Sequence, residues 1–131
     1  MTARSLGLAA AVAVLAAFST RPGPTAAQSA PEFKQYYFVL LWAGPNQGGT
    51  PEEIESVQRG HMENIARLVR EGKLAIAGPF EDGGKLRGIF ILDVPTKAEA
   101  EAVIATDPAV QAGRLRPEIL TWWSERGRAL P

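Results

Sequence analysis

Two residues have the type and setting for proton chemistry. His61 is the only histidine in the chain, and imidazole is the side chain that changes charge between pH 5 and 8, which suits it to general acid or base work. It lies seven residues after Ile54 and four before Ile65, a spacing that places all three on the inward stripe of one helix. Asp107 precedes Pro108 where a second helical pattern is interrupted, so its carboxylate sits at a helix break or caps the turn that follows. Each has an ordinary structural explanation as well. A core histidine bonded to backbone or carboxylate needs no catalytic duty, and an aspartate before proline is often only a cap.

The rest of the chemical inventory excludes more than it offers. With no cysteine, thiolate catalysis and cysteine metal sites are ruled out, and one histidine leaves too few soft donors for a metal site built from protein ligands alone. Neither metal nor cofactor is expected. Arg59 and Arg87 have the chemistry to hold an anion, but exposed arginines commonly solvate a face, and they stay outside the catalytic set. Tyr36, Tyr37, Trp42, Trp122 and Trp123 suit either an aromatic-ligand pocket or, more ordinarily, core and interface. Gly48-Gly49 and Gly83-Gly84 read as turns, since no phosphate-binding fingerprint accompanies them. Glu52, Glu53 and Glu55 crowd a helix N-terminus, where the macrodipole accounts for them.

The elements that must position the pair follow from pattern and punctuation. Phe33 to Trp42 is aromatic and β-branched and reads as a strand apolar on both faces. Thr50-Pro51-Glu52-Glu53 combines an N-cap, a first-turn proline and a capping-box glutamate; the helix it opens carries Ile54, Val57, His61, Ile65, Leu68 and Val69 at helical spacing and ends at Gly72. Lys73 to Phe80 is a second strand, and Leu86 to Val94 a third. Thr96-Lys97-Ala98-Glu99 opens a second helix, Asp107-Pro108 breaks it, and Ala109 to Gly113 adds one further turn. Pro117 to Trp123 is the last strand, followed by a polar tail over 124–131.

Upstream of all this, a single early arginine precedes the apolar run Leu6 to Phe18, then Pro22 and Pro24, then small residues ending at Ala27. That is the pattern of a signal peptide, expected to be cleaved after Ala27 and to send the protein to the periplasm or beyond the cell, with no membrane attachment once removed. An uncleaved anchor is the other reading. Residues 28–32 are a short lead-in. Cleavage of 27 of the 131 residues leaves 104, enough for one domain with a modest core. The mature part carries 12 basic and 14 acidic residues with no basic cluster, which gives nucleic acid no electrostatic footprint.

The resulting order, βαββαβ, is the α+β ferredoxin-like arrangement. Its two helices lie side by side on one face of the sheet, so a residue midway along the first and one near the end of the second can approach. Two helices cover one face only. Because strands one and three are apolar on both, the second face is expected to meet a second copy, giving a symmetric homodimer.

The segments Gly60-His61-Met62-Glu63-Asn64-Ile65, Gly72 to Phe80 with its Gly78-Pro79 ending, Arg87-Gly88-Ile89-Phe90-Ile91 and Asp107-Pro108-Ala109-Val110-Gln111-Ala112-Gly113, with Glu118-Ile119 and Trp122, together resemble the YciI-like (YCII-related) family over roughly residues 33–123. The resemblance implies a dimeric α/β barrel whose cleft holds a histidine–aspartate pair, here His61 and Asp107, bordered by the Gly78-Pro79 turn. It also implies eliminations or isomerisations on small aromatic or lactone compounds. The expected function is acid–base chemistry, of the elimination, isomerisation or hydrolysis type, on an uncharged or anionic small organic molecule, with His61 as proton carrier and Asp107 as its orienter. Two alternatives stand beside it: a non-catalytic ligand-binding or structural dimer, and a haem-binding barrel in which His61 is the axial ligand.

Overall fold

The computed structural model describes residues 30–127. The signal segment expected over 1–27 and the last four residues lie outside that range. Seven elements follow in the order β1 (Phe33–Ala43), α1 (Pro51–Arg70), β2 (Leu74–Pro79), β3 (Leu86–Leu92), α2 (Lys97–Ile104), α3 (Pro108–Gln111) and β4 (Leu115–Glu125). The strands form one antiparallel sheet in the order β2-β3-β1-β4, the ferredoxin-like α+β arrangement. No described helix is long and apolar enough to cross a membrane.

The helix boundaries follow their local chemistry. Thr50 accepts from the Glu53 N–H while the Glu53 carboxylate takes the Thr50 N–H at 2.8 Å, so two N–H groups that the first turn leaves orphaned are satisfied reciprocally. At the other end, Gly72 (φ +69°) reverses the chain, with Gly72 N–H bonded to Val69 O and Lys73 N–H to Leu68 O, the two bonds of a Schellman motif. Ile65 and Leu68 turn toward the sheet, but Val69, expected on the same stripe, is 55% exposed. Thr96 accepts from the Glu99 N–H and opens α2.

The core lies between the helices and one sheet face. Tyr37, Val39 and Leu41 of β1 alternate inward and pair across the sheet with Leu92, Phe90 and Gly88 of β3. Against them pack Leu68, Ala100, Val103 and Ile104. Complete burial of a side chain the size of Leu68 or Phe90 contributes roughly 1.5–3 kcal/mol, so this layer is the principal support for α1. The intervening residues Tyr36, Phe38, Leu40 and Trp42 face away from the helices.

One strand differs from the sequence reading. β4 runs from Leu115 to Glu125 rather than from 117 to 123, pairing along the whole of β1 from Ala43↔Leu115 to Phe33↔Glu125. Ser124 and Glu125, expected in a polar tail, are therefore strand residues. Their polarity hid them because an edge strand's ends have little to bury and are held by the ladder instead.

Candidate active site

His61 and Asp107 are 46 residues apart in sequence, and their side chains meet. Nδ1 of His61 lies 2.7 Å from Asp107 Oδ2 and 3.0 Å from Oδ1. Asp107 is the N-cap of α3: Oδ1 also accepts the Ala109 N–H at 2.8 Å, and Pro108 at the first helical position has no N–H to satisfy. The carboxylate is fully buried, a costly placement that the imidazole and the amide together offset. Because carboxylate oxygens act as acceptors, Nδ1 is the donor of this contact, and in the neutral imidazole Nε2 is then the nitrogen left with a free lone pair. Nε2 has no protein partner, yet among the described residues only Asn64 Nδ2 is buried without one. Nε2 therefore opens on the cleft that His61 lines. The ring itself is held flat against Phe90 of β3, with centroids 5.8 Å apart and planes inclined by 11°.

Two further features fix the pair. Gly60, the residue before His61, has no side chain to keep Pro108 away from α1. Beyond it, Arg67 donates to Asn64 Oδ1 at 2.6 Å and to Thr106 Oγ1 at 2.9 Å, and Thr106 in turn donates to Val103 O at 2.6 Å. This network ties α1 to the residue immediately before Asp107.

The cleft has a volume of about 410 Å³, within the range of small-molecule sites. Ile54 and Val57 of α1 and Phe90 of β3 form apolar wall, and Gly78 and Pro79 border it at the end of β2. Arg87 and Arg114 line it as well. Arg87 is the extra residue of a β-bulge: Leu41 pairs with Gly88 and Trp42 with Leu86. Strict alternation would align Arg87 with Ile89 and Ile91 of the opposite face, and a bulge at a strand end re-aims such a side chain. Arg114 was not singled out from sequence. Gly113 (φ +69°) ends α3 in a second Schellman motif, with Gly113 N–H bonded to Val110 O and Arg114 N–H to Ala109 O, and that glycine was the available signal for a residue turned back toward the site. Arg114 also donates from Nη1 to Gly48 O at 2.8 Å, while Gln47 Nε2 donates to Arg114 O at 2.9 Å, so the loop before α1 is fastened to the start of β4.

Other candidates lie elsewhere. Arg59 pairs with Glu55 on the exposed side of α1. Tyr37 is in the core and accepts a bond from Gln35. Trp122 meets Tyr36 and Phe38 on the sheet face opposite the helices, and none of these aromatic residues lines the cleft. An imidazole oriented by a carboxylate also has the form of a metal ligand, but among the described residues no three His, Cys, Asp or Glu side chains converge.

A family model, the YCII-related domain, matches residues 37–123. The chain belongs to the YCII-related family. Among solved structures, this YCII-related domain is similar to the 5-chloro-2-hydroxyhydroquinone dehydrochlorinase (TftG) of Burkholderia phenoliruptrix AC1100 in complex with 2,5-dihydroxybenzoquinone. The TM-score is 0.50 at 17% identity, over 66% of this chain and 92% of that one, a likeness that concerns the fold. No curated protein matches the sequence.

Proposed function

We propose that this YCII-related domain is an enzyme that moves a proton on a small organic molecule held in the cleft. His61 Nε2 is the acid–base atom and Asp107 its positioning partner. The supporting observation is the 2.7 Å bond between Nδ1 and Asp107 Oδ2, which fixes the tautomer and leaves the basic nitrogen toward the cavity. In the forward step Nε2 takes a proton from the bound molecule, the electron pair so released expels a leaving group or shifts a double bond, and the imidazolium is stabilised by the buried carboxylate. The imidazolium then returns its proton to the rearranged product or to solvent. The structural neighbour is named for the loss of chloride from a hydroxylated ring, which makes 5-chloro-2-hydroxyhydroquinone a first test compound, with small unsaturated lactones beside it.

The deciding experiment follows chloride release and ring absorbance with wild type and His61→Gln. Turnover that drops by roughly 10²–10⁴-fold in the variant, the usual contribution of a general base, supports the reading. Equal rates in the two proteins overturn it. Ligand binding with no turnover of any compound would instead favour a non-catalytic ligand-binding dimer.

We propose further that the domain acts as a symmetric homodimer and that residues 1–27 direct its export. The sheet face away from the helices carries Phe38, Leu40, Leu120 (46% exposed) and Trp122 (38% exposed), an apolar surface that a second copy would cover. For export, N-terminal sequencing of protein from cell fractions should begin near Gln28.

A further inference from the structure

The cationic groups of the cleft lack counter-charges. Five cations elsewhere on the domain pair with carboxylates: Lys34 with Asp93, Arg59 with Glu55, Arg67 and Lys73 with Glu71, Arg126 with Glu32. Arg87 and Arg114 have no carboxylate partner among the described residues, and the only side-chain bond that either makes is the Nη1 donation of Arg114 to Gly48 O. No aspartate or glutamate lines the cleft. The anion behind His61 is turned away from it, since Asp107 is fully buried and its oxygens are engaged by Nδ1 and the Ala109 N–H. The uncharged polar lining, Gln47 and Gln58, adds no negative charge. Both arginines are brought to this wall by local backbone devices, the β3 bulge at Arg87 and the Schellman turn before Arg114.

We propose that the cleft selects an organic oxyanion, a carboxylate or phenolate on a single-ring skeleton. Its charge is held by Arg87 and Arg114 and its apolar body lies against Ile54, Val57 and Phe90. The guanidinium fork matches the planar oxyanion of a carboxylate and offers charge-assisted bonds that a neutral analogue of the same shape cannot accept equally well. The proposal rests on the reading that this cleft holds the reactant, and names the charge that reactant carries.

The test compares benzoate with benzamide, which share a ring and differ in charge, by calorimetric or NMR titration of the purified protein. Benzoate should bind at least about tenfold more tightly in wild type, the scale of one charge-assisted contact, and the advantage should shrink as salt is raised. Arg87→Gln should reduce the advantage by itself; because its side chain is exposed and makes no bond, this variant should keep the wild-type circular dichroism spectrum. Arg87→Gln/Arg114→Gln should abolish the advantage with benzamide affinity unchanged, and the double lysine variant should restore part of it. His61→Gln should retain the advantage. Equal affinity for the two probes in wild type, an advantage that survives both arginine replacements, or no benzoate binding at millimolar concentration each overturns the proposal. The two readings fail separately: equal probe affinities with a His61-dependent turnover remove the anion site alone, whereas a clear benzoate preference with His61-independent turnover removes the acid–base role alone.

Discussion

Pro108 seats its ring against the bare backbone of Gly60, so closely that a Cβ on Gly60 would stand 3.0 Å from Pro108 Cγ and 3.2 Å from its Cβ. Glycine inside a helix ordinarily destabilises it by about 0.5–1 kcal/mol relative to alanine. Here that cost buys the approach of α3 to α1 and, one residue after Gly60 and one before Pro108, the contact between His61 and Asp107. Gly60→Ala should therefore gain less stability than the usual helix substitution, or lose some, and should disturb the downfield proton resonance of the His61 Nδ1–H. Chemical denaturation and one-dimensional NMR measure both. A full helix-propensity gain with an unmoved resonance would show that the close approach does not constrain the pair.

Asp107 serves two masters, and its substitutions should separate them. Asp107→Asn keeps an oxygen for the Ala109 N–H but can turn an amide N–H toward Nδ1, which must then accept, so the proton moves to Nε2 and the base is lost. Nitrogen NMR of the imidazole should show the tautomer exchanged, with turnover down by at least about 10²-fold in a folded protein. Asp107→Ala removes the cap as well, and should cost about 2 kcal/mol from a lost N-cap and an orphaned buried donor. Unchanged nitrogen shifts in the asparagine variant would contradict the orienting role.

The outer sheet face supplies a third test. Phe38 lies in an edge-to-face contact with Trp122, ring centroids 5.6 Å apart, on the sheet face proposed to meet a second copy. Phe38→Glu should place a charge there without entering the helix-side core, giving a folded monomer by sedimentation where wild type should sediment as a dimer. Wild type that sediments as a monomer at micromolar concentration would remove the homodimer.

Glu71 ends α1, where the Arg67 side chain donates to its carboxylate at 2.9 Å and Lys73 adds a second cation at 3.4 Å. The hydrogen bond from Arg67 is the main cause holding this carboxyl below its ordinary 4.5; desolvation opposes it, and the charge of Arg67 and the hydrogen bond and charge of Lys73 add to the lowering. A carboxyl whose pKa is lowered on folding contributes stability above its unfolded value and loses it as pH falls through the folded one. The thermal midpoint of wild type should thus exceed that of Glu71→Gln at pH 7 by a small margin, as expected of a solvent-exposed pair, and the two curves should converge on the acid side of 4.5. Curves that stay parallel into strong acid would show that the charge on Glu71 contributes nothing.

The sequence by itself determined the elements and their order. Thr50-Pro51-Glu52-Glu53 and Thr96 opened helices where the structure opens them, Gly72 ended the first, and the aromatic and β-branched run from Phe33 marked β1 as a strand. These signals are local: a cap or a turn is decided by three or four adjacent residues that bond to one another, so its chemistry is written in the chain. His61 and Asp107 were legible as candidates for the same reason, one from helical spacing and the other from the proline after it. Tertiary structure alone decided what non-local pairing controls. It set the 2.7 Å contact across 46 residues, the full length of β4 along β1, the outward turn of Val69 and the bulge that displaces Arg87. Arg114 became a cleft residue only because Gly113 turned the chain beside the loop that carries Gly48. Such placements depend on which strand lies opposite which, and no run of neighbouring residues carries that information.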